Sequence, residues 1–159
     1  MQDDIIMYVR NRKAAPVGVT YFKRTGALHN GAEIVVMGWS KACKSDMFTK
    51  KFGRNIAIKR ATKAGKWVKD NNLVDTSIRL EHIADTNLPF IIKQNLTYFL
   101  ETAYDGLGIE GSTIIVIPII EKYVDVSNVL KDMILDGDVV NTRKNKVTAK
   151  TRYITLQYK

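Results

Sequence analysis

Ten Lys or Arg side chains lie within residues 41–69, where Asp46 is the only acid. This segment therefore carries a net charge of +9, which equals the formal charge of the whole chain. Like charges at this density repel one another in a compact state, and they raise the local concentration of a polyanion. Their chemistry is electrostatic, because ammonium and guanidinium groups bind phosphates with strong salt dependence and little sequence information.

Six of these cations form two clusters on the helix that the segment is expected to adopt. They are Lys50, Lys51 and Arg54 in the first cluster and Lys59, Arg60 and Lys63 in the second. At about 100° per residue, the clusters lie on nearly opposite sides of an apolar stripe formed by Phe48, Phe52 and Ile56. One straight helix cannot present both to one duplex. Either Gly53 bends the helix, or the clusters serve separate anionic surfaces, or one cluster is a solvated face.

The C-terminal segment supplies further cations beside Tyr153 and Tyr158. Basic strands with aromatic residues track a nucleic-acid backbone and stack bases. The alternative is an ordinary edge strand, where Lys blocks aggregation and Tyr packs. The candidate nucleic-acid-binding residues of the whole chain are Lys50, Lys51, Arg54, Lys59, Arg60, Lys63, Lys66, Arg143, Lys144, Lys146 and Arg152.

No pattern of residues predicts catalysis. Residues 106–111 match G-x-G-x-x-G, but a dinucleotide loop lies between a strand and a following helix. Here a helix is expected before the glycines and a strand after them, which indicates a helix-ending turn. His29, His82 and Cys43 are the only residues of their types, and their spacing is not that of a metal site. We therefore expect no enzyme activity, no catalytic residue, no metal and no cofactor.

The composition is that of a globular protein. At 159 residues, with 45% hydrophobic and 26% charged residues, the chain suits a single domain over residues 1–159. One cysteine suits a reducing compartment, and the N-terminus lacks the layout of a signal peptide. The longest apolar run, residues 114–120, is too short to span a bilayer. We expect a soluble cytoplasmic protein with no membrane partner.

The first half of the chain predicts strands followed by the basic helix. Strand-like runs at residues 5–10, 17–23 and 33–39 are bounded by turn-forming residues. Antiparallel pairing of consecutive strands gives a three-stranded meander. The basic helix is expected to run from a cap at residues 45–46 to about Ala64, with an interruption at Gly53.

The second half mixes helices and strands without a regular βαβ alternation. A helix is expected from an Asn87 cap to about Tyr104, with core positions Phe90, Ile91, Leu96, Phe99, Leu100 and Ala103. A short third helix is expected at residues 127–135. Strands are expected at residues 112–119 and 147–158, with a weaker indication at 74–82. Pro118 indicates a strand edge or end. The predicted class is α+β: an N-terminal three-stranded antiparallel meander, a basic helix, two further helices and additional strands in one domain.

The segment from Trp39 to Ala61 resembles one found in small uncharacterised bacteriophage proteins. It follows the pattern W-S-x-x-C-x-x-D-x-F-x-K-K-x-G-x-x-I-A-x-x-R-A, and the resemblance extends over about residues 5–65. No established activity or site residue comes with it. It implies a phage-encoded protein that acts in the bacterial cytoplasm, in genome metabolism or host takeover. Small phage proteins of that kind also include inhibitors of host defence or transcription proteins.

Charge and resemblance together predict a non-enzymatic protein that binds nucleic acid, DNA or RNA, through phosphate contacts of the basic helix. The alternative is a protein-interaction module, an inhibitor or adaptor that docks on an acidic host protein. A virion component is a third, weaker hypothesis.

Overall fold

The computed structural model describes residues 3–42, 48–70, 77–79, 86, 88–122, 139–141, 146–148 and 150–159. Its strands are β1 (Asp4–Arg10), β2 (Pro16–His29), β3 (Ala32–Lys41), β4 (Ser77–Arg79), β5 (Thr113–Lys122), β6 (Val139–Asn141), β7 (Lys146–Thr148) and β8 (Lys150–Tyr158). The helices are α1 (Lys50–Asp70) and α2 (Phe90–Thr102), the latter followed by a short 3-10 helix, Tyr104–Leu107. The predicted α+β class is confirmed.

The N-terminal strands form the predicted antiparallel meander. β1 pairs with β2 and β2 with β3, both antiparallel. The β2–β3 turn uses Asn30 and Gly31, whose φ angles of 52° and 83° are those of a two-residue hairpin with a primed turn. A primed turn matches the right-handed twist of the two strands. The Asn30-Gly31 pair therefore predicts the boundary between β2 and β3 correctly.

The meander is one half of a six-stranded mixed sheet with the order β1-β2-β3-β5-β8-β4. β5 pairs parallel with β3 and antiparallel with β8, while β4 pairs parallel with β8. β4 borders β8 only at Thr155, Leu156 and Gln157, so the alternative of an edge strand is wrong over these three residues. The strands β6 and β7 form a separate antiparallel pair.

Pro118 lies within β5, which continues to Lys122, so a strand end at this residue is wrong. The proline is at an edge only on the side of β3, beyond the last β3–β5 pair. The β3–β5 pairing stops at Val36 and Val116, so proline's missing N–H breaks no bond to β3. The Trp39 indole donates a hydrogen bond to the Pro118 carbonyl at 2.6 Å. An indole thus links the two strands where their backbones no longer pair.

The sheet is buried on both faces, with α1 on one side and α2 on the other. Ile34 and Val36 belong to the cluster that packs against α1, whereas Val35 and Met37 belong to the cluster that contains α2. β3 and β5 read as continuous apolar runs because both of their faces are covered. The wider cluster on the α2 side also includes Phe22, whose ring stacks on Phe99 with 3.7 Å between centroids.

The predicted interruption and end of the basic helix are wrong. α1 continues through Gly53 and ends at Asp70 rather than near Ala64. Gly53 lies in the first turn, where a Cβ would stand 2.7 Å from Phe48 Cε2, so the glycine permits close packing rather than a bend. Phe52 is 45% exposed and does not continue the stripe between Phe48 and Ile56.

The predicted core positions Leu96, Phe99 and Leu100 of α2 are confirmed. The prediction for Phe90 is wrong, because this side chain is 73% exposed, and Ile92 is buried in the core in addition. The predicted third helix and the caps at residues 45–46 and 87 lie outside the described residues. The strand expected within 74–82 is present at Ser77–Arg79.

Candidate nucleic-acid interface

The candidate interface is on α1, which lies very close to β3. A Cβ at Gly38 would stand 1.8 Å from the Ala57 carbonyl oxygen and 2.9 Å from the Ala61 Cβ. Small residues on both elements thus bring their backbones together. The buried side of the helix is formed by Gly53, Ile56, Ala57, Arg60, Ala61, Ala64 and Val68. Polar residues on the remaining side are directed away from the sheet.

Most of the predicted cations of α1 lie on that outer side. All three members of the first cluster, Lys50, Lys51 and Arg54, are exposed. Lys59 and Lys66 are exposed as well, and so is Lys69 in the last turn. The outer side is therefore cationic along the whole helix, which at 1.5 Å per residue is about 30 Å long.

The second cluster is divided by burial. Arg60 is 3% exposed, its Nη1 donates to the Trp39 carbonyl at 2.7 Å, and its guanidinium carbon lies 4.8 Å from the centre of an indole ring of the same tryptophan. Lys63 is half-buried. A buried guanidinium with these contacts cannot extend to a phosphate in solvent. We therefore assign Arg60 to the core and leave it out of the interface.

A groove of about 360 Å³ runs between α1 and β2. Lys23 on β2 and Lys66 and Lys69 on α1 place three ammonium groups around it. A Cβ built at Gly65, which also lines the groove, meets no atom within 4 Å. A ligand can therefore approach the helix backbone at this point. The guanidinium of Arg24, a further lining residue, binds Glu33 and donates to the Leu107 carbonyl at 3.0 Å.

Two tyrosines lie on the face of the sheet that α1 covers. Lys50 Nζ stands 5.0 Å from the centre of the Tyr8 ring, which is half-buried. Tyr21 is buried in the groove and donates a hydrogen bond to Asp4 at 2.8 Å. Burial and the neighbouring carboxylate raise the pKa of Tyr21 to about 12. Its hydroxyl is therefore a neutral donor throughout the physiological range.

The exposed cations of α1 form no ion pair with a carboxylate in the described ranges. No described carboxylate lies within 4.0 Å of the side-chain nitrogens of Lys50, Lys51, Arg54, Lys59, Lys66 or Lys69. The ion pairs found there join Arg24 to Glu33 and Lys159 to Asp105. Within the described residues, no ion pair neutralises these six side chains.

The two C-terminal candidates within the described residues lie on β7 and β8. Arg152 is exposed on β8, and Lys146 lies in the short strand β7. Tyr153 packs on Trp67 with 5.1 Å between ring centroids, and Tyr158 donates to the Leu100 carbonyl at 3.2 Å. Both aromatic side chains thus pack within the protein. Arg143 and Lys144 lie outside the described residues.

The glycine pattern and His29, which were considered as parts of a cofactor or metal site, are found in a turn and beside a neighbouring side chain. Gly108 ends the 3-10 helix with a φ of 68°, so the glycine pattern at 106–111 is the predicted helix-ending turn. His29 Nε2 lies 3.2 Å from the Asn30 amide. Among the described residues no three of His, Cys, Asp or Glu come together as a metal site would require. His82 and Cys43 lie outside these residues.

Within the described ranges, no helix combines the length and apolar character needed to cross a membrane. Comparisons with protein-family models, with curated proteins and with solved structures found no match to this chain.

Sequence reasoning missed Lys23, Lys69 and the two tyrosines of this surface. Lys69 belongs to the basic segment 41–69 but was not chosen as a candidate. Tyr21 and Lys23 are two residues apart on β2, so they lie on the same face of the sheet. Their position beside α1 depends on which strands the helix covers, and no local pattern encodes that.

Proposed function

We propose that this protein binds nucleic acid without catalysing a reaction, through phosphate contacts made by the outer side of α1 and the adjoining groove. The observation that carries the proposal is the set of six exposed cations on one helix without a carboxylate partner among the described residues. Such contacts fix the position of a phosphate backbone and carry little sequence information.

The placement of the cations is not explained by helix stability. Lys50 and Lys51 lie in the first turn of α1, which contains no acid. The positive end of the helix dipole disfavours cations there by a few tenths of a kcal/mol each. Repulsion along the helix adds to this cost. A polyanionic ligand offsets both terms, which supports a binding role for these side chains.

The groove extends the cationic surface from the helix onto the sheet. Lys23 stands across from Lys66 and Lys69, and Tyr8 lies under Lys50. Cations beside an aromatic ring are the combination that single-stranded nucleic acids meet in many binding proteins. The resemblance to small phage proteins supports a role in genome metabolism or host takeover in the bacterial cytoplasm.

One observation favours a second function, a protein-interaction module that docks on an acidic host protein. Phe52 is 45% exposed on the same helix as the six cations that have no carboxylate partner among the described residues. Aromatic residues and Arg are enriched in the cores of protein–protein interfaces.

Affinity purification from cells with and without nuclease treatment separates the two functions. For nucleic-acid binding, we expect the purified chain to retain DNA or RNA that nuclease removes, and the variant Lys66→Glu/Lys69→Glu to lose it. The control Lys159→Glu changes a cation that stands beside Asp105, away from α1. A stoichiometric protein complex that resists nuclease supports the second function. Lack of binding to single-stranded DNA, duplex DNA and RNA at low salt refutes the first.

A further inference from the structure

The outer edge of β1 has no strand beside it within the described part of the chain, because β1 is the terminal strand of the sheet order. Residues 5–9 of this strand are all apolar, and charges occur only at its ends, Asp4 and Arg10. Ile6 is 37% exposed. Natural proteins usually protect a free edge with Lys, Pro, a bulge or a covering segment. β1 has no Lys or Pro, and its pairing with β2 becomes irregular only between Val9 and Arg10.

The hydrogen-bonding groups of the free edge belong to the even-numbered residues. The Asp3 carbonyl accepts a hydrogen bond from the Arg24 N–H at 3.0 Å, and residues of an antiparallel strand alternate in the side to which they bond. Residues 5, 7 and 9 therefore bond to β2. The N–H and C=O groups of residues 4, 6, 8 and 10 point to the free side.

We propose that two copies of this chain pair antiparallel through β1, around a two-fold axis at Met7. In this register Asp4 lies opposite the partner's Arg10, and Ile6 lies opposite the partner's Tyr8. Even-numbered residues then face one another, which allows about eight inter-strand hydrogen bonds. Opposite charges meet at both ends, apolar side chains meet between them, and the strand is complementary to itself.

Registers with the two-fold axis at Ile6 or Tyr8 also place even-numbered residues opposite one another, so their hydrogen bonds can form. They do not place Asp4 opposite the partner's Arg10. An axis at Ile6 places Asp4 opposite the partner's Tyr8 and leaves Arg10 beyond the paired segment. An axis at Tyr8 places Arg10 opposite the partner's Ile6. Only the axis at Met7 pairs the whole strand and both charges, so β1 specifies its own register.

The dimer would place both basic helices on one side of a continuous sheet. Antiparallel edge pairing relates the copies by an axis perpendicular to the sheet, so each face joins the same face of the partner. Tyr8 and Lys50 of each copy would then flank the seam. The pairing does not require nucleic acid, and its test is independent of the proposed function.

Cysteine cross-linking tests the register directly. In a Cys43→Ser background, Met7→Cys places two thiols opposite each other, with a Cα separation of about 4.5 Å, which suits a disulfide. In the control Ile6→Cys, the new thiol lies opposite the partner's Tyr8. The thiol at position 6 of the partner is two residues further along the strand, which is too far for a disulfide. We expect a covalent dimer under mild oxidation for Met7→Cys and not for Ile6→Cys. Equal cross-linking of the two variants, or none of either, overturns the proposal.

Charge exchange supplies a second test, read by sedimentation velocity. We expect Asp4→Arg and Arg10→Asp each to weaken dimerisation about tenfold, and the combination of both to restore it. Asp4 also accepts a hydrogen bond from Tyr21, so recovery in the double variant reports pairing rather than fold. Circular dichroism checks that each variant is folded. A wild-type chain that sediments as an 18.0 kDa monomer at every concentration, or a double variant as weak as the single ones, refutes the pairing.

Discussion

Removing two cations from the outer side of α1 tests the proposed function quantitatively. The double variant Lys51→Gln/Arg54→Gln removes two exposed charges from the first part of the helix and leaves the sheet-facing side unchanged. Glutamine keeps the helix propensity of the original residues. Any change in binding therefore reflects the lost phosphate contacts rather than a lost helix.

The magnitude follows from counterion release. Each phosphate contact with duplex DNA contributes about 0.9 to the slope of log K against log salt, so six contacts give a slope of about −5. Relative to about 1 M salt, each contact therefore adds roughly 0.9 log unit to the association constant at about 0.1 M salt. The loss of two contacts should therefore weaken binding about 60-fold at this salt concentration and reduce the slope by about 1.8.

Fluorescence anisotropy with a labelled 20-base-pair duplex, single-stranded DNA and RNA, titrated at several salt concentrations, measures both quantities. Lys159→Gln is the control, because this lysine lies beside Tyr104 and Tyr158, on the α2 side of the sheet. The conservative variant Arg54→Lys should retain the wild-type slope. A double variant with an unchanged slope, or a control that flattens the slope equally, refutes the assignment of phosphate contacts to this side of α1.

Three further predictions concern the packing that positions the interface. Gly38→Ala should lower the free energy of unfolding by about 2–3 kcal/mol in urea titrations, because its Cβ would clash with the α1 backbone, whereas Gly65→Ala should raise it by up to about 1 kcal/mol. Should both alanines have the same effect, the close approach of helix and strand is wrong. Arg60→Met should cost about 1.5–3 kcal/mol, through the lost charged hydrogen bond, and leave the salt slope of the folded protein unchanged. A reduced slope would place this side chain back in the interface. Because the folded-state pKa of Tyr21 is raised to about 12, the protonated hydroxyl stabilises the fold below pH 10, and this stability is lost as the pH rises from 10 through 12. Tyr21→Phe should remove that alkaline loss, measured by chemical denaturation at several pH values, and an identical pH profile for both proteins would argue against it.

The strands of the meander were predictable because their signals are local. The Asn30-Gly31 pair specifies its own turn type, and apolar residues flank it on both sides. Pro118 marked the end of the β3–β5 ladder through its missing N–H. Each of these features depends on the conformational preference of one or two residues, and that preference is present in the chain before it folds.

The helices were harder to predict, because helical periodicity does not identify the face that will be covered. Phe52 and Phe90 are apolar and correctly spaced, yet both are exposed. The sheet-facing side of α1 contains Ala57 and Ala61 instead, because Gly38 brings the helix too close for larger side chains. Packing geometry thus overrides the hydrophobic pattern in this helix.

The basic character of the chain and its location in residues 41–69 follow from the amino-acid sequence, because formal charge is additive along a chain. The availability of each charge was decided by tertiary structure. Arg60 and Lys59 are neighbours in sequence, but one binds Trp39 in the core and the other is exposed. A helix turns by about 100° per residue, so adjacent cations point in different directions. Only the placement of α1 on the sheet decides which of them reaches solvent.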